Sequence, residues 1–207
     1  MKAKAIPTCV FSLVLVFLAP SLQAQTLDYG DAPTINDTSG GGPARHLATG
    51  PMLGTLRDTE FSNVPSANAD GDDLAGLDDE DGITFLTAFV PGSTAQVQIV
   101  VTGTQSARLS AYFDWDRNNL WNHLTAELAL QDILLAPGTH VRDVPVPVSA
   151  VEGPSYARFK LYLGSFPLTP ANGDHSSGEV EDYAIYIGQP IATEPSTWSR
   201  IKGMYKR

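Results

Sequence analysis

The chain has 207 residues, with 13 lysines and arginines against 23 aspartates and glutamates, so its formal net charge is −10. This balance excludes nucleic acid as a partner, because binding to phosphates needs a surplus of basic residues. The one cysteine, Cys9, lies in the apolar N-terminal stretch. The rest of the chain therefore has no disulfide, and packing must stabilise one core of ordinary domain size.

Residues 1–24 predict a secretory signal peptide. Lys2 and Lys4 give a positive start, an apolar run covers residues 10–19, and Leu22-Gln23-Ala24 offers a small-residue cleavage site. We therefore expect a mature chain that is secreted to the extracellular space or the cell surface. The apolar run is shorter than the roughly 20 residues that span a bilayer, and the sequence has no second one. The mature chain is predicted to have no transmembrane segment.

A long loop region is predicted for residues 25–66, which are rich in glycine, proline, threonine and asparagine. The next stretch, Asp70 to Gly82, is named the acidic loop; seven of the twelve residues before Gly82 are carboxylates. Carboxylates about 4 Å apart repel by about 1 kcal/mol even in water, so the loop either stays hydrated or wraps a hard cation. We favour a calcium ion (Ca2+), with Asp70, Asp72, Asp73, Asp78, Asp79 and Asp81 as ligands.

From Ile83 onward, short β-branched and aromatic runs between turn residues predict antiparallel strands without helices. The predicted fold is all-β, an antiparallel β-sandwich of jelly-roll type over residues 25–188, with the long N-terminal loop region attached. Alternation in one run predicts that Arg158, Lys160 and Tyr162 face water. The seven predicted strands are Ile83–Phe89, Ala95–Thr102, Arg108–Asp114, Leu128–Leu135, His140–Val148, Tyr156–Leu163 and Val180–Ile187.

A second cation motif lies at residues 114–119. Asp114, Asp116 and Asn118 place oxygen side chains at alternate positions, as in Asp-x-Asp-x-Asn calcium loops. Asn119 occupies the sharp-turn position usually held by glycine, and asparagine tolerates the left-handed conformation. The usual position of the bidentate glutamate is Thr125, and Glu127 comes two residues late. The motif therefore predicts either a metal site or an Asx-rich turn joining two strands.

Two more carboxylates open the last predicted strand. By alternation Glu179 and Glu181 fall on the side of Tyr183, which we assign to the core. Buried carboxylates need a metal, an arginine or backbone N–H groups as partners. Metal ligation and an ion pair with Arg158 are equal alternatives. In a metal site, Asp58 and Glu60 are candidates to complete the ligand set.

The last residues, 189–207, differ from the body of the chain. They begin as a linker and end as a basic tail in which Trp198, Ile201 and Tyr205 follow helical spacing. We expect the tail to contact an export or envelope component.

Several ordered motifs resemble the GEVED domain of bacterial secreted and surface proteins, over about residues 27–188. The resemblance implies a β-sandwich module of large adhesin-like exported proteins, with no catalytic residues to carry over. The family's Asp-x-Asn-x-Asp-Gly turn is replaced here by Asp114-x-Asp116-x-Asn118-Asn119. The motifs are Asp28-Tyr29-Gly30-Asp31-Ala32-Pro33, Arg45-His46, Leu53-Gly54, Asp58-Thr59-Glu60, Ala69-Asp70-Gly71-Asp72-Asp73, Asp78-Asp79-Glu80-Asp81-Gly82, Tyr156-Ala157-Arg158-Phe159 and Gly178-Glu179-Val180-Glu181-Asp182-Tyr183.

Three functions are open to such a chain. The first is a secreted, non-catalytic structural or adhesion-type module that calcium stabilises, with an extracellular or cell-surface protein or glycan as partner. The second is a carbohydrate-binding module that offers Tyr112, Trp115, Trp121 or Tyr162 to sugar rings, with Trp121 and Tyr162 as the better platforms. The third is a glycoside hydrolase acting through two carboxylates, for which no specific motif exists.

Overall fold

The computed structural model describes residues 27–33, 36–37, 42–71 and 78–188. These residues form strands and turns, and no helix among them could cross a membrane. The predicted signal peptide and the tail, residues 189–207, lie outside them. The strands are β1 Leu27–Tyr29, β2 Asn36–Asp37, β3 Ala44–Leu47, β4 Met52–Leu53, β5 Ile83–Phe85, β6 Thr94–Thr102, β7 Ala107–Phe113, β8 Leu120–Trp121, β9 Leu128–Leu135, β10 Gly138–Pro145, β11 Gly153–Tyr162, β12 Gly173–His175 and β13 Glu179–Ile187.

Two four-stranded sheets form the body of the domain. The first has the order β10-β6-β4, with β5 also paired to β6, and the second has the order β13-β11-β7-β9. The strand pairs in both sheets are antiparallel. Buried apolar side chains from both sheets pack into one core. The predicted all-β sandwich is therefore confirmed.

Alternating burial explains why the sequence forms these strands. In β6 the side chains of Ala95, Val97, Ile99 and Val101 are buried, and more exposed residues separate them. All seven predicted strands are present, most with ends shifted by up to three residues. The first is shorter than predicted, because the chain leaves its sheet after β5 and Phe89 pairs with Ile187 of the opposite sheet.

Part of the predicted N-terminal loop region forms a small third sheet. β1 pairs antiparallel with β3, and β12 joins β3 in parallel. Both β1 and β3 contact β13. Beyond β1, the Ala32 N–H donates to Asp182 Oδ2 at 2.7 Å. The N-terminal segment therefore covers the outer face of the β13-β11-β7-β9 sheet.

This cover overturns one prediction about β11. Arg158, Lys160 and Tyr162 are at most 3% exposed, so the prediction that they face water is wrong. The alternation itself is correct, but a second layer lies over their side of the sheet. Lys160 Nζ donates to the carbonyls of Pro170 at 2.9 Å and Asn172 at 3.2 Å. Such bonds allow polar side chains to be buried.

Candidate metal centre

Strand β13 carries two carboxylates on the side that faces the core. Glu179 is 0% exposed and Glu181 is 1% exposed, so the burial predicted from alternation is confirmed. β13 is also an edge strand of its sheet. Segments outside the sheet can therefore reach both side chains.

Three further acids lie near this pair. Asp28 comes from β1, Glu60 from the loop after β4, and Asp79 from the acidic loop. Each acts electrostatically on at least one other member of the group. We name Asp28, Glu60, Asp79, Glu179 and Glu181 the carboxylate centre.

Backbone N–H groups donate five hydrogen bonds to the carboxylate centre, and each of these five joins two segments that are distant in the chain. Such bonds stabilise carboxylates, but they do not neutralise their charge. The donors and acceptors are Val180 N–H to Asp28 Oδ2 at 2.6 Å, Tyr29 N–H to Glu60 Oε2 at 2.9 Å, Asp58 N–H to Asp79 Oδ2 at 2.6 Å, Leu53 N–H to Glu179 Oε2, and Gly82 N–H at 2.9 Å with Tyr183 Oη–H at 3.0 Å to Glu181.

One oxygen of the centre stands out. Glu179 Oε1 is buried and has no hydrogen-bond partner within the described ranges. Arg57 exerts an attractive charge on Glu179, yet its guanidinium donates to the carbonyls of Pro51 and Gly178, each at 3.3 Å. A buried acceptor without a hydrogen bond destabilises the folded state, because it has lost its hydration by water and gained no partner in exchange.

Burial and mutual repulsion shift the pKa values of the centre upward. Burial, followed by repulsion from Glu181, raises the pKa of Glu179 to about 10. Burial also raises the pKa of Glu181 to about 8, although the Gly82 N–H opposes the shift. For Asp28, burial and then the charge of Glu179 raise the pKa well above its ordinary value. Shifts in this direction favour a bound proton or a shared cation over a set of bare carboxylates.

The acidic loop contributes to this centre unevenly. Asp79 belongs to it, and Asp81 stands next to it, accepting bonds from the Thr55 N–H at 2.9 Å and the Thr55 hydroxyl at 2.7 Å. Asp70 instead accepts from Ser66 Oγ at 2.6 Å within a local turn. Asp78 is exposed. The predicted ligands Asp72 and Asp73 lie outside the described residues.

A second group, the turn trio, consists of Asp114, Asp116 and Glu127. In the described part of the chain this is the only trio of potential metal-binding side chains whose ligand atoms all lie within 4.8 Å of one another. No three members of the carboxylate centre have ligand oxygens that all lie this close to one another. Burial, with repulsion from Asp116 and Asp114, raises the pKa of Glu127 to about 7.

The Asx turn predicted next to the trio is present. The N–H groups of Asn118 and Asn119 donate to Asp114 at 3.1 and 3.0 Å, and Asn119 has the expected positive φ of 63°. Asn118 donates from Nδ2 to Asp116 Oδ2 at 2.9 Å, while its Oδ1 accepts from the Leu120 N–H at 2.7 Å. The turn therefore orients the two aspartates whether or not an ion is bound.

Arg158 does not pair with Glu179 or Glu181, so that alternative is wrong. Arg158 and Asp182 face each other in the β11–β13 register on the outer side of the sheet. Two bonds of 2.7 and 2.6 Å join the guanidinium to the Asp182 carboxylate. The guanidinium also lies 4.3 Å from the ring centroid of Trp121. The two glutamates point to the opposite side.

The predicted sugar platforms are inaccessible. Tyr112, Trp115, Trp121 and Tyr162 are all buried. Trp115 packs in the main core, whereas Tyr112 and Trp121 form a second apolar cluster with Ala32. The prediction that Trp121 and Tyr162 are exposed platforms is therefore wrong.

Sequence reasoning missed two members of these groups. Asp28 joins the carboxylate centre from a position 151 residues before Glu179 in number, and no spacing rule connects them. Calcium-loop spacing places the glutamate at Thr125, two residues before Glu127, but the turn between the strands brings Glu127 close to Asp114.

The comparisons with known proteins agree with the motif analysis. Residues 108–186 match the family model described as the GEVED domain, which confirms the resemblance. Searches of curated proteins and of solved structures gave no match.

Proposed function

Because the chain carries a GEVED domain, we propose that it is an exported, non-catalytic structural or adhesion-type module whose folded form is stabilised by calcium. Its partner would be another extracellular or cell-surface protein or a glycan. The signal-like N-terminus, the absence of a disulfide from the predicted mature chain and the acidic composition support this proposal.

The buried, unpaired Glu179 Oε1 carries the calcium part of the proposal. It lies in a group of five carboxylates, and the pKa of Glu179 stays raised although Arg57 supplies an attractive charge. Calcium takes six to eight oxygen ligands in flexible geometry, and extracellular modules bind it at about 10⁻⁴ to 10⁻³ M. An ion would supply both the charge and the partner that this oxygen needs.

Burial of the centre also favours a structural role over catalysis. Asp28, Asp79, Glu179 and Glu181 are each at most 5% exposed. A glycoside hydrolase must place two carboxyl groups on either side of a bound sugar chain. Four carboxylates shielded in this way are suited to holding segments together.

Thermal unfolding in calcium and in chelator tests the proposal. We expect about 10 mM calcium to raise the melting temperature by about 3–10 °C, because the ion binds only the folded form. Glu179→Gln keeps an acceptor for the Leu53 N–H but removes the charge, so it should abolish most of this rise. The exposed Glu152→Gln is the matched control and should keep it. Identical wild-type curves in calcium and chelator would refute calcium stabilisation.

A further inference from the structure

Two cavities meet at strand β12. One, of about 650 Å³, lies between β12 and the loop at residues 165–170, which we name the groove loop. The other, of about 480 Å³, is also lined by residues of β1 and β3. Residues 174–176 line both cavities, so together they form one groove, the β12 groove. Cavities of this size suit small ligands or part of a longer chain. No member of the carboxylate centre or of the turn trio lines it.

The groove loop is fixed at both of its ends. Asp132 accepts hydrogen bonds from Ser165 Oγ at 2.6 Å and from the Phe166 N–H at 3.0 Å. It lies at a bulge in the pairing of β9 with β7 and has a φ of 47°, which is rare for a residue other than glycine. Lys160 Nζ binds the Pro170 carbonyl at the other end. Backbone strain of this kind is typical of functional sites, and a preformed wall lowers the entropic cost of binding.

Two aromatic rings line the groove. Phe166 is 46% exposed, and its ring centroid lies 4.9 Å from that of His175, with the planes at 65°. The His175 ring is stacked on the buried Tyr162 at 4.4 Å, and a hydrogen bond of 3.0 Å joins its Nε2 to Thr169 Oγ1. Burial, followed by the charge of Lys160, lowers the pKa of His175 to about 4, so the ring is neutral near pH 7. Both rings are therefore uncharged, and Phe166 offers an exposed face.

Polar groups surround these rings. The Arg45 guanidinium binds the Asp174 carboxylate through two bonds of 2.6 and 2.8 Å, and the two side chains are 40% and 62% exposed. The pair offers donors and acceptors side by side without net charge. Ser165 and Ser176 add hydroxyl groups to the lining. An exposed aromatic face beside uncharged hydrogen-bonding groups matches a sugar, which has apolar C–H faces and a rim of hydroxyls.

We propose that the β12 groove binds a neutral oligosaccharide, with Phe166 against the face of one sugar ring and with Asp174 and Arg45 bonded to its hydroxyls. The inference rests on the proposed function, in which a glycan is one class of partner, and adds to it the location of the site and the class of glycan. Anionic glycans are disfavoured, because the formal net charge of the chain is −10. An extended peptide is disfavoured as well, because β12 has only three residues and offers few backbone partners to an added strand.

Binding of defined oligosaccharides by the whole protein, in about 10 mM calcium, tests the inference. The probes are neutral oligosaccharides of glucose, galactose, mannose and N-acetylglucosamine on an array, with uronic-acid oligosaccharides for comparison, and titration calorimetry measures the affinity of those that bind. We expect binding of a neutral probe, weakened at least about tenfold by Phe166→Ala and by Asp174→Ala. Phe166→Trp should retain binding. Phe61→Ala removes a 98% exposed ring outside the groove and, as the matched control, should also retain it.

The outcomes separate the inference from the proposed function. Absence of binding to every neutral probe would overturn the inference, as would equal losses in Phe166→Ala and Phe61→Ala. Peptides from a displayed library that bind the wild type but not Phe166→Ala, without any glycan binding, would assign the groove to a peptide and overturn it too. The substituted side chains are exposed, and thermal unfolding checks that each variant is folded. A protein that calcium stabilises but that binds no glycan would overturn the inference alone.

Discussion

At the scale of single residues, the pKa of Glu179 gives the sharpest prediction. Its folded-state value of about 10 lies above the ordinary 4.5, so without calcium the folded form holds a proton that the unfolded form releases. Its contribution to stability is complete below about pH 4.5 and is lost as pH rises toward 10.

Glu179→Gln has no proton to lose. In chelator, its free energy of unfolding should therefore fall less steeply between pH 5 and 8, by about 1 kcal/mol per pH unit. Urea unfolding at several pH values measures this slope. Parallel slopes for the wild type and Glu179→Gln would mean that Glu179 does not titrate as its burial indicates.

Gly82 allows the acidic loop to approach the centre. A Cβ atom on this residue would lie 2.5 Å from Leu53 Cβ and 2.6 Å from the Gly54 nitrogen. We expect Gly82→Ala to lower the free energy of unfolding by about 1–3 kcal/mol, as overpacking does. Gly42, where a Cβ would meet no atom within 4 Å, is the control, and Gly42→Ala should be close to neutral. Equal effects in urea unfolding would contradict this packing.

Single residues also show which features of the candidate site could be predicted from the sequence. Period-two alternation was enough to predict the burial of Glu179 and Glu181. It could not predict their partners, because Asp28 and Leu53 reach them through tertiary contacts that no local pattern encodes. The assignment of Arg158 to these glutamates was wrong for a different reason: alternation itself places Arg158 on the other face of the sheet, where Asp182 is its register partner.

At the scale of elements, the Arg158–Asp182 pair joins β11 to β13, and Asp182 also binds the N–H of Ala32 in the N-terminal segment. Its charges are buried and bonded at 2.6 and 2.7 Å, and removing one partner of a buried pair typically costs about 3–5 kcal/mol. Arg158→Met should cause a loss of this size in urea unfolding, because it leaves Asp182 uncompensated. Arg142→Met, at a half-buried position bonded to the Val141 carbonyl, should lose much less. A small effect of Arg158→Met would show that the pair contributes little.

The elements themselves were predictable in proportion to their length. The seven predicted strands are all present, whereas six strands of two to four residues each, β1 to β4, β8 and β12, were not predicted. Such short strands are stabilised by contacts with the sheets next to them. Their sequences therefore need no alternation of apolar and polar residues. The buried outer face of β11 was mispredicted because this cover was not visible in the strand.

At the scale of the whole molecule, part of the acidic composition is buried inside the protein. The formal net charge of −10 is not spread over the surface alone, since the carboxylate centre is enclosed between the sandwich and its N-terminal segment. Enclosed carboxylates exchange protons for a cation, so calcium uptake and proton release should be coupled. This coupling distinguishes a built site from an acidic surface that merely attracts counter-ions.

Isothermal titration of the purified protein with calcium at pH 7.5, in two buffers that differ in ionisation enthalpy, measures both events together. We expect saturable binding in the range of about 10⁻⁴ to 10⁻³ M, with an apparent enthalpy that differs between the buffers because Glu179 and Glu181 release protons. No saturable heat in either buffer, or equal enthalpies in both, would contradict this expectation.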